Sequence, residues 1–395
     1  MVSMQAVSEG AASERVRGPH PVNPLVIDFS ADQRQALRAV RAWLSDSNGP
    51  QRFVLGGLAG TGKTLLVSEI VNDPRVDALV LTPTGKAAHV LRQRGVDAST
   101  VHSQIYKVEE SKRTGLHFRL RSEIERFAST YSSHRATQVI VVDEASMLSK
   151  QLVGDIESFG YPVLYVGDHG QLEPVGDDAG IMLDLDARLE QIHRQASGSG
   201  IIDFAHALRS GEHPLSTGVD NDVTHTRTIT KGVLRHSDVI VCGFRRTRVK
   251  LNTATRSMRG FDAPHPMPGE SVICLANGAT LNNVPVFNGL TATVVSVNPS
   301  RMRMVVQIDG EDTEAEVKYW PPQFGAEETV DRRVLPKDSK FTLWDWAYAI
   351  TAHKSQGSQW HTVAVYDETH PEWNTARWRY TAATRASERL IWITP

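Results

Sequence analysis

Cysteine is almost missing from this chain: only Cys242 and Cys274 occur in 395 residues. Each sits in an apolar run, Val239-Ile240-Val241-Cys242 and Val272-Ile273-Cys274-Leu275, so both read as buried thiols. Two such residues give neither a disulfide framework nor a zinc-ligand spacing, and a reducing cytoplasm is the expected compartment. Long apolar runs are missing too. None approaches the ~18 residues needed to cross a bilayer, which leaves no role for a membrane. Residues Met1 to Asn23 are polar with scattered arginines and lack the apolar centre of a secretory leader, so 1–26 is expected to be a disordered tail. Nor is there a charge of one sign. A formal net charge of −2 argues against wholesale coating of nucleic acid but leaves room for a local basic groove. Internal repeats and low-complexity tracts do not occur.

What is present suffices for two ordinary domains: the length, with 40% hydrophobic and 22% charged residues, allows real cores. The most specific stretch is Gly57-Leu58-Ala59-Gly60-Thr61-Gly62-Lys63-Thr64, which fits G-x-x-x-x-G-K-[ST] at every fixed position. A short apolar run, Phe53-Val54-Leu55, precedes it as a buried strand would, and Thr64–Val71 follows as an apolar helix. In that context the glycines turn backbone N–H groups toward phosphate oxygens, and the helix N-terminus adds its dipole. Gly57, Gly60, Thr61 and Gly62 form the cradle. Lys63 reaches the β- and γ-phosphates, and Thr64 takes the magnesium of an ATP–Mg²⁺ complex.

Upstream, Ser30-Ala31-Asp32-Gln33 fits a capping box, with Leu37, Val40 and Leu44 as an apolar stripe behind it. Strand-like runs at Ala78–Leu81, Val139–Val142 and Val163–Val166 alternate with helical stretches, the signature of a parallel sheet with crossover helices. Between Lys107 and Gln138 the alternation stops; seven Lys/Arg face four Glu, and a small basic insertion or a solvated helix fits. From Leu189 strands return at Val239–Val241, Val363–Val365 and Leu390–Ile393. Ser271–Leu275, Thr291–Val297, Arg303–Ile308 and Glu314–Val317 are β-rich with turn signals at Asn288-Gly289 and Asp309-Gly310, so a small β-barrel is expected at about 270–340.

Val139–Val142 ends in Asp143-Glu144. After a P-loop, that pair reads as a magnesium ligand, Asp143, and a general base for the attacking water, Glu144. Gly167-Asp168-His169-Gly170-Gln171-Leu172-Glu173-Pro174 follows another buried strand, at the sheet edge where ligands bind; Gln171 is placed to sense the γ-phosphate. Arg194 and Arg385 belong to the expected second domain and could complete the site across a cleft, as an arginine finger does. Taken singly, each arginine reads first as a surface charge. The basic run Arg245-Arg246-Thr247-Arg248-Val249-Lys250, continuing to Arg256 and Arg259, suits phosphates or a solvated helix face.

Taken together, these stretches resemble superfamily 1 helicases over nearly the whole chain after the tail. Phe29-Ser30-Ala31-Asp32-Gln33 looks like the adenine-reading Q motif, which implies a base contact for Gln33. Leu81-Thr82-Pro83-Thr84-Gly85-Lys86-Ala87-Ala88 looks like motif Ia and Ser99-Thr100-Val101-His102-Ser103 like motif Ib. The resemblance thus implies strand contacts at Thr82, Pro83, Thr84, Thr100 and His102. Asp143-Glu144 and Gly167–Glu173 resemble motifs II and III, Arg194 lies in a motif IV-like stretch, and Arg385 falls in motif VI. Ala352-His353-Lys354-Ser355-Gln356-Gly357-Ser358 is similar to motif V, putting His353, Lys354 and Ser355 on nucleic acid and Gly357 by the nucleotide. His353–Gly357 and Tyr380–Ala386 look most like the 1B branch, the RecD- and Dda-like enzymes.

The implied fold is α/β: two RecA-like parallel-sheet domains, 27–188 and 189–395. The first carries a small basic insertion at 107–138, and the second an SH3-like β-barrel at about 270–340. The implied activity is 5′→3′ DNA helicase action by a monomeric motor at single-strand/duplex junctions. Phe118, three residues after Gly115, is the aromatic placed either to wedge a base pair or to pack onto the first domain. Against this stand a translocase that remodels complexes without melting, a P-loop kinase, and a non-catalytic binding scaffold.

Overall fold

The computed structural model describes residues 29–111, 115–129, 137–173, 178–192, 200–213, 222–276, 278–279, 281–282, 284–309, 313–336 and 340–395. The expected tail, 1–26, lies outside them.

The first sheet is built from runs too apolar to face water on either side. Its six strands are ordered Ala98–Thr100, Val76–Thr82, Thr137–Val142, Val163–Gly167, Arg52–Gly57 and Ala187–Leu189. All neighbours are parallel. Alternate residues serve opposite faces: Leu55, Val80, Val141 and Leu164 pack on one, Val54, Leu81, Val142 and Tyr165 on the other. Helices cover both faces, as all-parallel sheets require. Ala31–Ser45 carries the anticipated capping box at Ser30 and buries Leu37 and Val40. Thr137 and Gln138 pair with Val76 and Asp77, and Leu189 pairs with Gly57. The sheet therefore takes the last two residues of the expected insertion and one residue beyond 188.

The described residues of the rest of that insertion form an antiparallel strand pair and a helix. Tyr106–Ser111 and Gly115–Leu120 run antiparallel from Tyr106↔Leu120 to Ser111↔Gly115, followed by the helix Glu125–Ser129. Phe118 is paired with Val108 in the register.

A second parallel sheet follows, ordered Ala349–Thr351, Val239–Cys242, Trp360–Tyr366, Ala386–Ile393 and Val223–Thr226. Cys242 and Cys274 are buried and free, as their apolar surroundings implied. Inserted into this domain is a six-stranded sheet ordered Phe341–Thr342, Glu314–Tyr319, Arg303–Ile308, Thr291–Asn298, Ser271–Cys274 and Trp344–Trp346. Its two edge strands are consecutive in the chain with only Leu343 between them, which draws the edges together into a barrel reaching past 340.

The basic run forms the helix Arg245–Arg259, and the structure corrects its reading. Arg248 is buried against Asp345. Arg256 makes a bidentate pair with Glu270 at 2.6 and 3.0 Å and lies 4.0 Å over the Trp346 ring. Arg259 donates to the Ser237 carbonyl at 2.9 Å. These three arginines moor the barrel and the second sheet rather than face phosphates; a buried charge persists only when paired. Among the described residues no helix is long and apolar enough to cross a membrane.

Candidate nucleotide site at the domain seam

Parallel strands place all their carboxyl ends on one edge, and four neighbours of the first sheet end in polar residues there. In spatial order these are Thr82, Asp143, Asp168 and the P-loop after Gly57. Residues far apart in sequence thus become neighbours at the ~4.8 Å strand spacing.

The P-loop has the conformation its glycines imply. Gly60 and Gly62 sit at φ +81, a left-handed backbone that other residues adopt only at a cost, and Gly62 opens the helix Lys63–Val71. Lys63 Nζ donates to the carbonyls of Gly57 and Leu58, both at 2.9 Å, and stands 3.9 Å from Asp168 Oδ2. Gln33 is fully buried and donates from Nε2 to Thr61 O at 2.9 Å. Its Oε1 accepts the Ser30 N–H at 3.0 Å. One end of this amide holds the P-loop and the other its own helix cap, so reading a base would require exchanging one of those bonds.

Burial, then the neighbouring Glu144, raises the pKa of Asp143 above the usual carboxylate range. Glu144 takes φ +57, left-handed for a side-chain-bearing residue, and strain of this kind gathers at functional sites. Glu144 Oε2, Gln171 Oε1 and Ser146 Oγ are buried with no hydrogen-bond partner among the described residues. Orphaned acceptors cost free energy unless a ligand engages them. They fit a phosphate–magnesium group with its attacking water. No cluster of three metal-binding side chains occurs among the described residues.

The second domain closes the site. Arg385 is buried, donating to Thr381 O at 3.0 Å, Ser358 O at 3.2 Å and Thr384 Oγ1 at 2.9 Å. Burial depresses its pKa, while the charges of Glu144 and Asp168 in the first domain hold it up. Tyr380, missed by the sequence reading, spans the seam. Its hydroxyl accepts the Ala59 N–H at 2.7 Å and donates to Asp168 Oδ2 at 2.8 Å. Leu172 N donates to Thr381 Oγ1 at 2.8 Å and Gln356 Nε2 to Leu172 O at 2.7 Å. Arg194 lies outside the described residues.

The expected strand contacts are divided between the two domains. Gly357, at φ +69, backs onto Thr84, whose Oγ1 would lie 2.9 Å from an added Cβ. Lys86 sits 4.0 Å over the Trp360 ring, with burial drawing its pKa down to about 8. Thr84 and Thr100 cap helices with their hydroxyls. Thr82 is fully buried and donates to Thr84 O at 2.8 Å, so it shapes the loop. Pro83 is half-buried beside it. Ser355 is buried with its hydroxyl on Ala352 O at 2.7 Å, and Lys354 reaches Asn288 of the barrel region. Burial lowers the pKa of both His102 and His353.

A family model described as an AAA domain matches residues 28–230, more than half of the chain, and one described as a UvrD-like helicase C-terminal domain matches 346–393. The chain belongs to this AAA-domain family. It is similar to the ATP-dependent RecD2 DNA helicase of Deinococcus radiodurans, with 29% identity over 91% of this chain and 49% of that one. The chain thus spans about half the length of this relative. In fold it is similar to a Bacteroides Pif1 bound to ssDNA (TM-score 0.56, 16% identity, 93% of this chain and 95% of that one). It is also similar to the Pif1 helicase of Candida albicans (TM-score 0.51, 18% identity, 94% and 95%). The α/β fold with two RecA-like domains is what the chain shares with these structures.

Proposed function

We propose that this chain is an ATP-driven motor that moves 5′ to 3′ along single-stranded DNA and separates the duplex ahead of it. The observation that carries the reading is Arg385. It is a buried arginine of the second domain whose charge is felt by Glu144 and Asp168 of the first. Only an arrangement that makes ATP turnover depend on domain closure needs an arginine there.

In this reading the P-loop N–H groups and Lys63 hold the β- and γ-phosphates. The Thr64 hydroxyl and Asp143 would hold magnesium, which would supply charge neutralisation at the phosphates. Glu144 Oε2 takes the proton of the attacking water, Gln171 Oε1 orients the same region, and Arg385, with Arg194, meets the developing charge. Hydrolysis loosens the seam that binding tightens. Pro83, Thr84, Thr100, His102, His353 and Lys354 line the strand path, and the buried Ser355 holds the motif behind them. Uncharged histidines there would donate hydrogen bonds without charge, so sequence preference is weak. A P-loop kinase needs neither the second sheet nor its arginine, and a scaffold needs no orphaned general base.

The antiparallel strands Tyr106–Ser111 and Gly115–Leu120 favour duplex melting over bare translocation, with Phe118 as the wedge. The motor is proposed to act as a cytoplasmic monomer. A strand-displacement assay with tailed duplexes tests the reading: a 5′ tail is required, and a duplex with only a 3′ tail is a poor substrate. Efficient unwinding from 3′ tails overturns the polarity.

A further inference from the structure

We infer that Tyr380 is a positioning residue: its hydroxyl pins the second domain to the phosphate loop and so sets where Arg385 stands relative to Glu144. The inference rests on the motor reading above and assigns a device by which that site is closed.

The geometry leaves the hydroxyl one arrangement. A phenol carries one proton and accepts through its lone pairs. Ala59 N–H occupies the acceptor side at 2.7 Å, so the proton points at Asp168 Oδ2, 2.8 Å away. Burial and the Asp168 charge push the tyrosine well above its ordinary titration range, so the proton stays in place. Both partners are themselves immobilised. Asp168, 1% exposed, accepts the Gly170 N–H at 2.8 Å through its other oxygen. Ala59 is gripped a second time, through its carbonyl 3.5 Å from His206 Nε2, with that imidazole edge-on to the Tyr380 ring. Two elements of the second domain, the helices Gly200–Arg209 and Thr375–Ala383, therefore hold one residue of the P-loop.

The consequence falls on Arg385, which lies just past the end of the helix that carries Tyr380. Its guanidinium is tied to Thr381 O and Thr384 Oγ1 in the turn between them, so the helix end and the arginine move together. A pin at Tyr380 thereby fixes the arginine laterally against Glu144 and Asp168, while ATP contacts in the P-loop proper remain with Lys63 and the glycine N–H groups. Loss of the pin should slow the chemical step and spare ATP binding.

The test is Tyr380→Phe, which keeps the ring and removes only the hydroxyl. With saturating single-stranded DNA, kcat for ATP hydrolysis falls about 10- to 100-fold, the scale of one or two positioned hydrogen bonds. KM for ATP moves less than about threefold, and the melting temperature stays close to wild type. In an Arg385→Ala background the same change makes no further difference, because the residue it positions is gone. Equal losses in both backgrounds, or an unchanged kcat, overturn the inference. A raised KM at constant kcat does so too. If Tyr380→Phe does not fold, Asp168→Ala breaks the same bond from the first domain and is read by the same cycle. Wild-type turnover is the separate control: its absence overturns the motor reading itself and the inference with it, whereas normal wild-type turnover with an unaffected variant overturns the inference alone.

Discussion

Arg385→Lys separates the two things this arginine does. The guanidinium spends its donors on its own domain, on Thr381 O at 3.0 Å, Ser358 O at 3.2 Å, Ser355 O at 3.4 Å and Thr384 Oγ1 at 2.9 Å. Its charge meanwhile faces Glu144 and Asp168. A lysine keeps the charge but has a compact head in place of a planar fork, and it cannot serve four acceptors spread around a guanidinium. Two buried carbonyls left unpaired cost about 1–3 kcal/mol each, so stability falls by roughly 2–6 kcal/mol. A finger that no longer meets the transferring phosphoryl group loses ~10³-fold or more in turnover. The assay is steady-state ATP hydrolysis at saturating single-stranded DNA, paired with a thermal melt of the same preparation. The expected outcome is a lowered melting temperature, a kcat down by at least ~10³, and a KM for ATP near wild type. A lysine variant with wild-type kcat would refute the argument that this side chain completes the site across the seam, however much stability it lost.

Lys63→Ala should abolish ATP turnover while leaving single-stranded DNA binding largely intact, because Lys63 touches only P-loop carbonyls and the Asp168 side; filter binding alongside an ATPase assay checks it. Glu144→Gln keeps the shape of the strained turn but removes the base. ATP should bind normally and be hydrolysed ~10²–10⁴-fold more slowly, measured in a single turnover. Gly357→Ala must place a Cβ at φ +69 and 2.9 Å from Thr84 Oγ1. The left-handed backbone costs about 1–2 kcal/mol, and the clash pushes the two domains apart. DNA-stimulated turnover should drop while nucleotide affinity holds, as fluorescent-nucleotide titration would report.

The readings that needed only local sequence carried over well. The strand, glycine turn and helix around the P-loop, the strand end at Val142 and the capping box at Ser30 each depend on a few adjacent residues whose backbone requirements are written in their types. The β-rich stretch could be read as a barrel, but its closure could not. That depends on two edge strands meeting around Leu343, a consequence of order in space. Arg248 and Arg256 were misread for a related reason. A run of arginines looks like a phosphate-binding face until Asp345 and Glu270, distant in sequence, are brought alongside. Tyr380 stood within the very motif that contains Arg385, and nothing about a tyrosine in an apolar helix says that its hydroxyl will meet Ala59 and Asp168, which lie in another domain. Side-chain networks across a seam become legible only when both surfaces are in place.

The central claim is that nucleotide turnover is coupled to a nucleic-acid strand through closure of two domains. The most direct measurement is the rate of ATP hydrolysis by the whole chain with and without single-stranded DNA. The account predicts a marked rise in kcat on adding the strand, lost in Arg385→Lys. A rate that is the same with and without DNA would contradict it.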